Sequence, residues 1–338
     1  MKNWKFILFL MLGLFFLHKQ VQAQNMVSNY ILNKTISLPE NGGHDYLYIN
    51  PVSQHLYVTH GTHLEVINLN TGKYLGAVNN LGDIHGVAID NKLNRGFVSD
   101  NRNRSVDVFN PKTLKLIKMV HLKGEDEDAT ILDPASDKVF VFEGDSHQVE
   151  VVDPNTLKEV ALIPLGGKPE FAVSNDKGLI YNNLEDIHKV AVIDVHKMKV
   201  VKTYNMGPCR RPSGMALDKS SHRIFSGCRA NKGLTVLNAK SGKVIQTLPI
   251  GAGVDAVKYD PKTHLIFVSC KDATTTIIKQ NSPDHYKVVQ TLKTKFDART
   301  MALDHKTHQI YLSTSDFRHH DDHQIVPNSF KVLVYKMR

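Results

Sequence analysis

The chain has 338 residues, 41% hydrophobic and 8% aromatic, with a formal net charge of +9. That length can bury a large core and is too long for a minimal domain. Three lysines fall in the first 23 residues, so the remainder sits near +6, with no run of five or six like charges. A nucleic-acid arm or a polybasic membrane patch would need such a run. The three cysteines, Cys209, Cys228 and Cys270, exclude a disulfide-stapled miniprotein, and neither a C-x-x-C-H haem site nor a C-x-x-C zinc pair is present.

Residues 1–23 read as a secretion signal. Lys2 and Lys5 precede an apolar run at 6–17, and Val21, Gln22 and Ala23 form a small-residue end that puts cleavage before Gln24. The run is too short for a bilayer core, which takes about 20 residues. A soluble product, periplasmic or secreted, is therefore expected, with residues 24–338 forming a single domain. The sole tryptophan, Trp4, leaves with the signal.

Next comes a lone strand at 32–38, and then a unit that repeats to the end of the chain. Its anchors are Asn50, Asp90, Asp133, Ser174, Asp218, Asp260 and Asp304, spaced 40, 43, 41, 44, 42 and 44 residues apart. Each anchor closes a strand such as Gly86-Val87-Ala88-Ile89 and opens a turn such as Asp260-Pro261-Lys262-Thr263, where the side chain can cap the turn's amides. A second strand follows (Leu56-Tyr57-Val58, Val139-Phe140-Val141), then a third (Val106-Asp107-Val108-Phe109), another turn (Asn70-Thr71-Gly72-Lys73) and a fourth strand (Val244-Ile245-Gln246-Thr247-Leu248). Four short strands per unit, with turns at such close intervals, indicate all-β repeats rather than βαβ units. Seven units predict a seven-bladed β-propeller. The last unit stops at its third strand, 330–335, and the spare strand at 32–38 supplies the missing fourth. That pairing closes the last blade and removes an exposed edge.

The segment Leu56-Tyr57-Val58-Thr59-His60 resembles the core of the YVTN-repeat propellers, the YncE-like exported proteins. Glu150-Val151-Val152-Asp153 and Ala191-Val192-Ile193-Asp194 resemble the V-x-V-I-D segment of that repeat, and the resemblance covers 29–338 with degenerate copies. It implies a propeller fold. Similar propellers serve as binding modules, lactonases and haem d1 domains, so the fold alone does not choose a function.

Sorting residues by face narrows the site. The two kinds of turn share one face, rich in lysine (Lys92, Lys138, Lys177, Lys219, Lys262, Lys306), which reads as solvated turns or as contact with an anionic surface. The opposite, loop face collects a ring five residues before the anchors: Asp45, His85, Asp128, Pro169 (with Glu170 as substitute), Ser213, Asp255 and Arg299. A second ring, ten residues after the anchors, reads His60, Asp100, Glu143, Asn183, Cys228, Cys270 and Thr314. Polar groups converging on a channel mouth are what a ligand site shows. Crowded carboxylates call for a cation, so a divalent metal is a candidate cofactor and an amine a candidate ligand. Imidazole and thiolate favour a zinc- or copper-like ion, and carboxylates alone favour calcium.

A Cys209–Cys228 bridge is one arrangement the spacing allows, leaving Cys270 free. The His-rich loop at 315–324 reads as a mobile polar loop, a metal-binding tract or a lid over the channel. No G-x-S-x-G elbow supports a serine hydrolase. The absence of blade tryptophans weighs against quinoprotein propellers, and a haem d1 reading, with His85 or His60 as ligand, lacks its cytochrome domain.

The reading favoured is therefore a binding module, monomeric and without a membrane span. Its ligand, a small molecule or a protein, sits at an acidic loop face built from Asp45, His85, Asp128, Glu170, Asp255, Arg299, His60, Asp100 and Glu143, with no catalytic residue assigned and no nucleic-acid partner. The alternative is a metal-dependent, lactonase-like hydrolase at the same mouth, with Glu143, Asp128 or His85 as base. A structural partner in an envelope complex is the third class.

Overall fold

The computed structural model describes residues 29–39, 43–319 and 324–338; the expected leader at 1–23 lies outside them. The strands form seven four-stranded antiparallel sheets, and no helix occurs among the described residues. The first blade runs His44–Asn50, His55–His60, His63–Asn68 and Tyr74–Val78. The innermost strands of the next six blades are Ile84–Asp90, Glu127–Asp133, Pro169–Ser174, Pro212–Asp218, Val254–Asp260 and Met301–Asp304. In the seventh blade the outer place is filled from the other end of the chain. Tyr30–Ser37 pairs antiparallel with Lys331–Met337, from Tyr30 opposite Met337 to Ser37 opposite Lys331. The all-β, seven-bladed propeller with an N-terminal closing strand is thus the observed architecture.

The repeat folds this way because each strand meets a different environment. Second and third strands lie between sheets and are buried almost throughout, as in Val139, Phe140, Val141 and Phe142. Fourth strands face solvent: in Lys115–His121 only Val120 is buried. Apolar clusters form between neighbouring blades, such as Tyr57, Val66, Val87 and Phe109 between the first and second. Sheets stacked face to face around an axis thereby share their cores.

The anchors do the predicted work. Asp90 Oδ1 accepts hydrogen bonds from the Lys92 and Leu93 amides at 2.8 and 3.0 Å, and Asn50 Oδ1 accepts one from Val52 at 3.0 Å. The fourth residue beyond every anchor is left-handed: Gln54, Asn94, Asp137, Gly178, His222, His264 and His308 all have φ between 50° and 97°. A left-handed residue therefore recurs at that place under five residue types, only some of which favour positive φ.

Tyr30 locks the closing strand. It is 1% exposed, its hydroxyl donates to the His308 carbonyl at 2.6 Å, and its ring meets Phe267 edge-on at 5.0 Å. Tyr30→Ala is expected to cost about 3–5 kcal/mol in urea unfolding. Leu32→Ala, at a position 51% exposed on the same strand, should cost about 0.5 kcal/mol or less. Equal effects would show that the strand does not share in the global fold.

Candidate functional site

Ring geometry gathers one residue per blade at the loop face. Asp45, His85, Asp128, Glu170, Ser213 and Asp255 are each the second residue of their innermost strand, and Arg299 lies two residues before Met301–Asp304. Pro169, the first residue of its strand, is buried, and Glu170 takes its place in the ring. The seven residues divide into two halves of different chemistry.

In the first half an imidazole sits among carboxylates. His85 Nδ1 is 2.5 Å from Asp45 Oδ2 and 3.9 Å from Asp128 Oδ1, while Nε2 is 3.8 Å from Asp83 Oδ2. Burial disfavours the imidazolium. The bond to Asp45 and the charges of Asp45, Asp128 and Asp83 outweigh it and raise the pKa to about 9. His85 is therefore the cation that these acids hold at neutral pH. Asp128 is pushed well above the usual carboxylate range by burial and by the neighbouring Asp45 charge. Nε2 of His85 is buried and has no hydrogen-bond partner among the described residues.

The second half is organised by a residue the sequence reading missed. Arg229 reaches over from the loop after the fifth blade's second strand. It donates to Ser213 Oγ at 2.6 Å, Asp255 Oδ1 at 2.9 Å and Glu185 Oε1 at 3.0 Å, and lies 3.4 Å from Glu170 Oε2. Arg299 adds a second guanidinium, with Nε 3.5 Å from Asp255 and 3.4 Å from Asp297. This half of the mouth is a compensated network of acids and arginines rather than a bare acidic surface. Burial and the neighbouring acids still raise Glu170 well above the ordinary range, against the pull of Arg229.

The floor of the mouth is aromatic. Tyr46 from the first blade and Phe171 from the fourth meet across the axis, with ring centroids 4.6 Å apart. The Tyr46 hydroxyl is buried without a partner among the described residues. Burial, then the charges of Asp128, Asp45, Glu170 and Asp255, push it well above the usual phenol range. Acids from four blades act on it, which places it beneath the ring.

The second ring does not join this cup. His60, Asp100 and Glu143 are fully buried within their blades. His60 stacks on Phe330 at 3.7 Å, with Glu65 Oε1 3.8 Å away. Asp100 accepts from the amides of Gly82, Asp83 and Asn103, and a Cβ at Gly82 would collide with it. Glu143 accepts from Gln148 Nε2 at 2.6 Å. Asn183 Nδ2 donates to the Ser213 carbonyl, and Thr314 to that of Phe296. These groups hold loops and neighbouring strands. The physical reason is radial: a second strand lies one layer out from the axis, so its end is enclosed by adjacent sheets.

Cys209 and Cys228 form a disulfide, with Cα atoms 5.2 Å apart, and Cys270 is free and buried. Burial pushes the Cys270 thiol up to about 12, so it is inert as a nucleophile. The bridge ties the chain just before Arg210 and Arg211 to the chain just before Arg229, and both Arg211 and Arg229 pair with Glu185. In the His-rich loop, residues 320–323 lie outside the described residues; its base is pinned by a Phe317–Ile325 bridge and by Asp316 with Lys331 at 2.6 Å.

Fold and site together define a seven-bladed β-propeller with a charged cup at the loop-face end of its channel. No protein-family model matches the chain, and no curated protein matches it by sequence. In fold it is similar to Kuenenia stuttgartiensis hydrazine synthase, with a TM-score of 0.70, 16% identity, and coverage of 84% of this chain and 96% of that one. At that identity the likeness concerns the fold.

Two outcomes follow from the cup's electrostatics. An NMR titration should place the His85 ring near pH 9, and Asp45→Asn should bring it toward the ordinary value of about 6.5. Because the folded-state pKa is raised, this contribution to stability is full below about 6.5 and is lost as pH rises through 9. Arg229→Met leaves Glu170, Asp255 and Glu185 without their shared cation and should cost about 3 kcal/mol at pH 8. The loss should shrink at pH 5, as the stranded carboxyls take up protons; urea unfolding at both pH values checks it.

Proposed function

We propose that the protein is an exported, YVTN-type propeller that binds a cationic ligand, a small molecule or a protein side chain, in the loop-face cup. The observation that carries this reading is the Asp45–His85–Asp128 group, an internal imidazolium hydrogen-bonded to Asp45 and 3.9 Å from Asp128, whose buried Nε2 makes no hydrogen bond among the described residues and lies 3.8 Å from Asp83. A ligand's ammonium can take over the charge of His85, which then gives up its proton. The exchange swaps one cation for another and leaves the acids compensated. Among the described residues the Arg299 guanidinium is paired through long contacts at Nε, and its fork can take an anionic group on the same ligand. Export is supported by the Cys209–Cys228 bridge, since disulfides persist in oxidising compartments, and no helix among the described residues is long and apolar enough to cross a membrane.

A second reading rests on one geometric fact. Single donor atoms of Asp45, His85 and Asp128 lie within 4.8 Å of one another. One imidazole nitrogen and two carboxylate oxygens suit a zinc-like ion with an open position. Such an ion would polarise a lactone or ester carbonyl, which is the hydrolase alternative. Binding it requires His85 to lose its proton, so affinity should climb with pH up to about 9.

Calorimetric titration of the full chain at pH 8 with putrescine and, separately, with zinc chloride tests both. Saturable binding of putrescine, weakened about tenfold or more by Asp45→Asn with Asp128→Asn and without turnover of a lactone panel, supports the binding module. Tight zinc with lactone turnover, both lost in the same variant, supports the hydrolase. Binding of neither probe overturns both readings.

A further inference from the structure

Beneath the Tyr46–Phe171 stack lies a second chamber, separate from the loop-face cup. It has a volume of about 840 Å³ and runs down the axis to the turn face, where exposed Lys219, His305, Lys306 and Asp176 form its rim. Its wall follows the repeat. Three residues past each ring residue the inner strands present Tyr48, Ala88, Ile131, Val173, Ala216 and Ala302, and at the seventh place Lys258. Six of those positions are apolar or aromatic. The seventh is a primary amine.

Nothing among the described residues neutralises that amine. Lys258 makes no ion pair with a carboxylate among the described residues, and its Nζ lies over the face of Phe171, 5.8 Å from the ring centroid. None of the loop-face acids Asp45, Asp128, Glu170 and Asp255 lines the chamber. Burial alone lowers its pKa to about 8, which leaves it mostly protonated at neutral pH. An unpaired charge in an apolar chamber lowers stability, and an anion brought to it removes that cost.

We propose that this chamber binds an aliphatic carboxylate, with its head group on Lys258 and its chain lying along the alanine, valine and isoleucine wall toward the turn face. A single compact ammonium matches one negative charge rather than a phosphate cluster. The wall's hydroxyls, on Tyr46, Tyr48, Thr130, Ser174 and Tyr259, are outnumbered by its aliphatic side chains, so most of the ligand is apolar. The volume falls within the range of about 300–1,000 Å³ that small-molecule sites occupy. Of the rim lysines, Lys219 is paired with Asp176, whereas Lys306 donates to the neutral Asn70 side chain and keeps its charge to draw anions toward this end of the channel. The site is independent of the loop-face reading, since the two share only the aromatic partition.

Calorimetric titration of the full chain with decanoate and with decanol at pH 7 tests the proposal. Decanoate should bind saturably at one per chain, and decanol about tenfold or more weakly. Lys258→Met should lose about tenfold or more in decanoate affinity while raising the melting temperature, because it removes the unpaired charge. Lys258→Arg should retain binding, and Val173→Trp, which fills the chamber, should abolish it. Absence of saturable binding, equal binding of acid and alcohol, or full affinity in Lys258→Met overturns the proposal. Should Lys258→Met fail to fold, retention in Lys258→Arg and loss in Val173→Trp decide it, and the reverse pattern overturns it.

Discussion

Without a partner for Lys331–Met337 the seventh blade would end in an open edge, and Met301–Asp304 would have no complete sheet behind it to hold it at the axis. Pairing with Tyr30–Ser37 supplies that partner from the far end of the chain. Ring closure then makes seven inner strands equivalent by position, even where their sequences differ. The same register brings Asp45, His85, Asp128, Glu170, Ser213, Asp255 and Arg299 to one mouth, and three residues further on it brings Lys258 into an otherwise apolar chamber. The charged cup and the chamber are both consequences of a closed ring, and neither exists within a single blade.

Closure also sets the electrostatic problem. Acids contributed by separate blades cannot avoid one another once the blades meet, and burial denies them water. The molecule answers differently on its two sides. His85 supplies a titratable cation to Asp45 and Asp128, whereas Arg229 and Arg299 supply permanent ones to Glu170 and Asp255. The disulfide contributes here as well, by fixing the loop that carries Arg229 against the loop that carries Arg211. A titratable compensator can be replaced by a ligand; a guanidinium that spans Ser213, Asp255 and Glu185 is far harder to displace.

The blade period, the anchor turns, the closing strand and the first ring were legible because each is a local pattern repeated at a fixed spacing, as at Asp90, Asp260 and Asp304. Arg229 was not. The place after the second strand carries Gly61, Asn101, Gly144 and Glu185 in the first four blades, so nothing there marks it as a place for an arginine. The Tyr46–Phe171 contact joins blades one and four, which only closure brings face to face. Lys258 did leave a signal, a lone lysine between Val257 and Tyr259 in an innermost strand whose other residues are all buried. His60, Asp100 and Glu143 were grouped with the mouth because register gives height along the axis and says nothing of radius. Height was right for them, and distance from the axis was not.

The closing pair has a mechanical consequence. Tyr30 lies opposite Met337, and the Arg338 amide donates to the Asn29 carbonyl at 3.0 Å, so both strands leave the sheet at the same end. Tension applied between residues 29 and 338 therefore pulls across the strands, not along them. The pair opens from that end one hydrogen bond at a time, like a zipper, instead of sharing the load in shear. A ring held by seven packed blades would yield there to a modest directed force. Once peeled, the edge of Lys331–Met337 would be free to recruit another strand.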